Sequence, residues 1–454
     1  MTTAEHHASQ AVWTALGGDA DRIGRVSFQG EGDLPSVFAV TGFAAGTIMA
    51  AALALAEYAG TGAGVMVDRR LASFWFGTSF QPVGWAAPSA WDPVAGDYRA
   101  SDGWIRLHTN APHHREAALA VLGVAAERDA VAGAVREWRA EALETAVVTR
   151  NGCAAAMRSA EDWAGHSQGQ ALAAEPLVWS EPGVKATRAL PHPDPRRPLA
   201  GLRVLDLTRV LAGPVATRFL AGFGADVLRI DPPGWDEPGV VPDVTLGKNC
   251  ARLDARTEDG RAALRRLLAD ADVLVHGYRP GALDRLGLSA AERQRIRPGL
   301  VDVSLDAYGW TGPWAGRRGF DSLVQMSSGI AHEGMIRAGR DRPTPLPVQA
   351  LDHGTGYIMA AAVLRGLEER RRSGRGQTVR ASLARTAVLL ASCGQGNPTG
   401  LLGKPGVNDF AAATETTVWG PVRRLHPPVM LGGTPMQWDR PASPLGSATA
   451  AWSH

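Results

Sequence analysis

Cysteine is nearly missing from this chain: Cys153, Cys250 and Cys393 are the only three in 454 residues, and none forms a CxxC pair. That excludes a disulfide framework and fits a reducing compartment. Net charge is missing too, with 47 basic residues against 45 acidic ones. Neither a nucleic acid nor an anionic membrane surface is implied as a partner. The opening MTTAEHHASQ lacks the basic-then-apolar pattern of a secretory leader, and the expected location is the cytoplasm. His108, His113 and His114 lie close together, but no Cys or carboxylate completes a ligand set, so no metal is expected. Leu- and Ile-rich runs are also scarce. Residues 34–56 carry no charge and are long enough to span a bilayer, yet they are mostly Ala, Gly and Thr, which insert weakly.

An internal repeat decides what that uncharged stretch is. GTIMAAALAL (46–55) returns as GYIMAAAVLRGL (356–367), and TGAGVMVDRRLA (61–72) returns as SGRGQTVRASLA (373–384). The second copy carries Arg365, Glu368 and Glu369 on the same helix. A buried helix of a soluble protein accounts for both copies, a membrane span for only one. No membrane association is expected.

The length alone suggests about three domains. The organising stretch is LAGLRVLDLTRVLAGPVATRFLAGFGADVLRIDPP (199–233). RVLDL reads as a short buried strand. Pro214 suits the first turn of a helix, where its missing N–H is not needed. Val215, Phe219 and Leu220 make the helical stripe, and Gly222 and Gly224 stop it. A second apolar run, 225–230, follows. This is a βαβ unit and therefore a parallel sheet. Further on, 257–277 reads as a helix with an acidic first turn and then a strand, and 298–305 as another buried strand. Thr208, Arg209, Asp231, Tyr278, Arg279, Asp306 and Tyr308 fall in the loops after these strands, where open parallel sheets bind ligands. The turn after the first strand is TRVLAGP rather than GxGxxG. A dinucleotide-dependent oxidoreductase therefore lacks its pyrophosphate cradle.

These segments, with GYRPGALDRLGL (277–288), YGWTGPWAGRRGFD (308–321) and LDHGTGYIMAA (351–361), resemble in order the class III CoA-transferases, the family of formyl-CoA and carnitine CoA-transferases and α-methylacyl-CoA racemases. The resemblance covers roughly 198–390. It implies an α/β fold, a Rossmann-like open parallel sheet with flanking helices plus a smaller α+β domain. It further implies a CoA thioester as co-substrate, no tightly bound cofactor, an acyl-CoA and a carboxylic acid as partners, and an intimate homodimer. PSAWDPVAGDYRASDGWIRLHTNAPHHREAALAVLG (88–123) resembles the family's small domain, which here precedes the sheet instead of following it. The expected division is an N-terminal region, 1–190, holding a degenerate repeat and that small domain. A proline-rich linker, PHPDPRRP (191–198), follows. The CoA-binding and catalytic domain spans 199–390, and 391–454 is expected to be an irregular tail.

The resemblance assigns CoA contacts to Leu211, Ala212, Arg229, Leu253, Asp254, Ala255, Gly277, Tyr278, Arg279 and Arg285, with Asp321 near the bound CoA in a supporting role. Arginine forks suit phosphate oxygens, and Arg279 and Arg285 are the favoured phosphate contacts. Asp352 matches the family's nucleophilic aspartate. As a bare residue it could equally cap the helix that follows. The degenerate copy has Gly42 in its place, so only one copy keeps the carboxylate. The function expected is transfer of CoA from an acyl-CoA to a carboxylic acid through an aspartyl anhydride and an aspartyl-CoA thioester. Two departures bear on it. Leu211 stands where the family has a Gln or similar polar residue, which removes the usual stabilisation of the intermediate. Phe320 stands where the racemases have a His general base, which weighs against racemase or epimerase chemistry, one of two alternatives. The other is a non-catalytic CoA-binding protein, against which the retained Asp352 argues.

Overall fold

The computed structural model describes residues 3–453 except Arg25, Ala63 and Pro398. The outermost positions of the two terminal segments, and Ala63 within the repeat, lie outside the described residues. A seven-stranded sheet forms the centre. Its strands, in chain order, are β1 (Trp179–Lys185), β2 (Arg203–Leu207), β3 (Asp226–Asp231), β4 (Lys248–Arg252), β5 (Val273–His276), β6 (Val301–Asp306) and β7 (Arg375–Ser382). Strands β2, β3, β5 and β6 are buried almost throughout, as expected of a parallel sheet covered on both faces. The spatial order is β4-β3-β2-β5-β6-β7-β1. Every pair is parallel except β7 with β1. The chain runs outward from β2 to β4 and returns beside β2 at β5. That reversal opens a crevice between the loops following β2 and β5.

Charge buried beneath the sheet's carboxyl edge fixes the first of these loops. Asp206 on β2 and Lys248 on β4 are both fully buried and pair at 3.0 Å. Lys248 Nζ also donates to the Pro214 carbonyl and to Thr217 Oγ1, at 2.9 and 2.6 Å. Asp206 Oδ1 accepts from the Thr208 backbone N–H at 2.9 Å and from its hydroxyl. Strand, turn and the helix Ala212–Gly222 are thereby locked together.

The helix Ala350–Ser373 crosses back from the β6 side and delivers the chain to β7. It packs against the helix Val40–Tyr58, the equivalent helix of the sequence repeat. Both helices are followed by a strand and a capped helix. Asp68 accepts from the N–H groups of Arg70 and Leu71 in one copy, and Ser382 accepts from Arg385 N–H in the other. Their outer partners correspond as well. A Cβ on Gly46 would meet Glu5 O and Ala8 of the helix Ala4–Ala15, and one on Gly356 would meet Ala212 O and Val215 of Ala212–Gly222. Among the described residues, Val40–Tyr58 is the one helix long and apolar enough to cross a membrane, and here it is buried nearly end to end.

Gly96–Arg99, Trp104–Leu107 and Ala154–Ala156 form a separate antiparallel sheet with the helices Pro112–Leu122, Arg128–Arg136 and Ala140–Thr149. They share their own core around Tyr98, Ile105, Val131 and Leu143. The final segment differs from the expected irregular tail. Phe410–Thr417 and Gly420–Leu425 form a hairpin whose second strand pairs with Phe80–Pro82, and Val429–Leu431 pairs with Val65–Asp68. Those partner strands come from the N-terminal region, so the tail's order depends on pairings across the length of the chain.

Lys248→Met tests the buried pair. It leaves Asp206 charged without its partner inside the fold, and unfolding by urea should show a loss of about 3–5 kcal/mol. A variant as stable as wild type would show that the pair is dispensable.

Candidate active site

The crevice at the reversal point opens into a cleft of about 340 Å³. Its floor comes from the loops after β2, β5 and β6, and includes Thr208, Ala212, Gly213, Gly277, Tyr278, Asp306 and Ala307. Asp352 and Leu383 close the back. Phe320, Arg317 and Arg318 reach in from the loop after β6, and His113 and His114 from the small antiparallel domain.

Asp352 lies in the first turn of Ala350–Ser373, two residues inside the helix, and Gln349 occupies the N-cap. The capping role that its sequence position allowed is therefore not the one it has. It is 8% exposed, and among the described residues no donor bonds its carboxylate. Burial raises its pKa well above the usual carboxylate range, and the nearby charge of Asp321 adds to the rise. Asp321 is fully buried and holds the helix start in place, its Oδ2 accepting the Asp352 backbone N–H at 3.0 Å. Its Oδ1 accepts from Gln325 Nε2. Burial pushes Asp321 up to about 6, against the opposing pull of these donors. The two carboxyl groups thus share a dry site in which both cannot easily be charged.

Phe320 sits beside this pair. The His108 ring stacks on it at 3.7 Å between centroids, and His114 meets it edge-on at 5.8 Å. Burial holds both imidazoles neutral, with His114 pushed down to about 3. At that value His114 is a hydrogen-bonding group rather than an effective general base. The loop from Ala307 to Gly319 is clamped from outside. Gln168 Nε2 donates to the carbonyls of Tyr308 and Thr311, and Glu175 Oε1 accepts from the N–H groups of Trp310 and Thr311. Inside the loop, Asp306 Oδ1 accepts Gly309 N–H at 2.8 Å, while its Oδ2 is buried without a partner among the described residues. Burial raises Asp306 to about 8.

Of the residues expected here from sequence, Ala212, Gly277, Tyr278, Arg279 and Asp352 line the cleft. Leu211 adjoins it as the N-cap of Ala212–Gly222, and Asp321 acts from behind Asp352. Arg285 lies in the turn Asp284–Leu286, exposed, outside the cleft wall. Leu253 and Ala255 pack half-buried against the same core as Tyr278, and Asp254 pairs with the exposed Arg256. Arg229 is a correction. It is fully buried and paired with Asp231 and Glu237, so its guanidinium serves the fold instead of facing a phosphate. Strand alternation explains this, since residues two apart on β3 share a face and Arg229 finds Asp231 there. Asp306, expected in the loop after its strand, lines the cleft as well, while Arg317, Arg318 and His114 are cleft residues that the sequence did not single out for the site. The GRRG run before Phe320 was the one available signal for the arginines.

Residues 199–406 match the model of CoA-transferase family III. The probable fatty acyl-CoA transferase Rv3272 of Mycobacterium tuberculosis is 33% identical over 215 residues, 44% of this chain and 54% of that protein. Mouse succinyl-CoA:glutarate CoA-transferase is 34% identical over 209 residues, covering 43% and 47%. Among solved structures, Rv3272 aligns at 32% identity over 43% of this chain and 57% of that one, with a TM-score of 0.40. A CAIB/BAIF family protein from Brucella suis aligns at 30% identity over 50% and 65%, with a TM-score of 0.38. The chain spans about half the length of the curated relatives it matches.

The raised carboxyl groups set a pH dependence for stability. An unfolded aspartate titrates near 3.9, well below the folded values of about 6 for Asp321 and about 8 for Asp306. The folded state therefore holds these protons more tightly, and the stability they contribute is lost as pH rises from about 4 through 8. Asp306→Asn removes the upper part of that loss. Thermal denaturation should show a smaller drop between pH 5 and pH 9 for the variant than for wild type, and parallel curves would contradict the assignment.

Proposed function

We propose, from the premise that residues 199–406 belong to CoA-transferase family III, that this chain moves CoA from an acyl-CoA to a carboxylic acid with Asp352 as the nucleophile. The observation that carries this reading is a buried carboxylate, free of hydrogen-bond partners among the described residues, facing a cleft at the carboxyl edge of a parallel sheet. A carboxylate stripped of water and donors is a stronger nucleophile than a solvated one.

Asp352 attacks the thioester carbonyl, the C–S bond breaks, and CoA leaves as thiolate from a mixed anhydride. The thiolate then attacks the aspartyl carbonyl. This releases the donor acid as carboxylate and leaves an aspartyl-CoA thioester. The acceptor carboxylate attacks that thioester, giving a second mixed anhydride and CoA thiolate again. Attack of the thiolate on the acceptor's acyl carbon yields the new acyl-CoA and restores Asp352. Each step exchanges one acyl bond for another, so the thioester's energy is conserved while water is kept out. Asp321 fixes the helix start, and its charge adds to the resistance to ionisation that burial imposes on Asp352. The first half-reaction needs the pair to have lost a proton, so kcat should rise with pH across its titration.

The racemase alternative needs two groups that exchange a proton at the α-carbon. Phe320 has none, and the imidazole of His114 is held too acidic to act as the base.

Asp352→Asn preserves size but removes the attacking oxyanion, and transfer should fall by roughly a thousandfold or more with CoA affinity nearly unchanged. Asp321→Asn should be milder and should shift the pH profile. Wild type incubated with acyl-CoA alone should accumulate a thioester that hydroxylamine traps at residue 352. Label at residue 321, or near-normal turnover by Asp352→Asn, would sink the mechanism.

A further inference from the structure

The cleft carries more positive charge than chemistry at Asp352 requires. Arg209, Arg279, Arg317 and Arg318 all line it. Arg317 is committed to the fold, paired with Glu144 at 2.7 Å and stacked on Trp314 at 3.8 Å. Arg209 lies over Trp235 at 4.6 Å and Tyr278 at 5.3 Å. Arg318 is different. Half-buried, it bonds the Asn151 carbonyl, and no carboxylate among the described residues lies within ion-pair distance. It stands close enough to Arg279 that, after burial, its charge is the strongest influence lowering that guanidinium's proton affinity.

A second, independent observation lies opposite. His114 belongs to the first turn of Pro112–Leu122, an 11-residue helix whose N-terminal end meets the cleft. The residue is 4% exposed, and its Nδ1 is buried with no hydrogen-bond partner among the described residues. A buried, unsatisfied imidazole is costly unless something in the cleft completes it. The positive end of the helix and the Arg318 guanidinium both favour a negative group there.

We propose that Arg318 and His114 form an anion subsite facing Asp352 across the cleft, holding an oxyanion of the substrate by a guanidinium fork and a neutral imidazole N–H. This rests on the CoA-transfer reading of the cleft and deepens it. The oxyanion has two possible sources with the same chemistry: the second carboxylate of a dicarboxylic substrate, or the pyrophosphate of CoA.

Equilibrium titration of the full chain separates them without needing turnover. The probes are glutarate against valerate, and CoA against pantetheine. Arg318→Gln should weaken glutarate at least tenfold with valerate unchanged if the anion is a carboxylate. It should weaken CoA at least tenfold with pantetheine unchanged if the anion is the pyrophosphate. Arg318→Lys keeps the charge but loses the fork, so it should weaken the same probe by less than Arg318→Gln does. Arg318→Met provides a second neutral variant if Arg318→Gln folds poorly. Unchanged affinity for both glutarate and CoA in the neutral variants overturns the subsite, as does a wild type that binds neither anion. A wild type that binds but transfers no CoA removes the proposed function and leaves the subsite standing.

Discussion

The 350–373 helix can occupy its place only because it lacks side chains at three points. A Cβ on Gly354 would fall 2.3 Å from the Phe43 ring, one on Gly356 2.5 Å from the Ala212 carbonyl, and one on Gly366 2.7 Å from Val301. These contacts press it against the repeat helix, against the helix after β2, and against β6. Each approach is closer than any side chain allows, so the helix has little freedom to slide or rotate. Asp352, in its first turn, inherits that rigidity. The position of Asp352 is therefore set by backbone packing and by one hydrogen bond from its own N–H to Asp321, and its carboxylate is left free to face the cleft.

Around this fixed point the remaining groups come from parts of the chain far apart in sequence. The β2 and β5 loops supply the floor, since the strand order reverses between them. Gln168 and Glu175 reach over to grip the loop after β6, which carries Phe320 and the arginines. The small domain contributes His113 and His114 at the opposite wall. The cleft is thus a junction of three units, and its chemistry depends on burial more than on partner charges. Asp352, Asp321 and Asp306 are all raised chiefly by desolvation.

Much of this was legible in the sequence because it is local. The strand–helix–strand unit at 199–233, the helix after Thr257 and the strand at Trp104–Leu107 rest on neighbouring residues. The repeat was legible because two copies of one motif preserve the same glycine. Arg229 was not, because whether an arginine at a strand end meets solvent depends on which face it takes and on Glu237 in a later loop. The strands at 410–431 were hidden for a related reason: their partners lie near the other end of the chain, and Pro- and Gly-rich local sequence gives no hint of them. His114 and Arg318 lie far apart in sequence, and only the folded chain brings them into one cleft.

The pairing of the two repeat helices has a consequence during synthesis. Val40–Tyr58 is almost wholly apolar, yet the helix that covers its inner face is made roughly 300 residues later. At ribosomal rates of about 5–20 residues per second, it waits roughly 15–60 s for that partner. The helix Ala4–Ala15 is already available and can shield one side, while the face meant for Phe43 and Gly354 to share stays open. A nascent chain in this state displays an almost wholly apolar, sticky ridge, the kind of surface that chaperones hold and that drives aggregation at high expression. The close fit that makes the finished protein rigid therefore makes its unfinished form vulnerable.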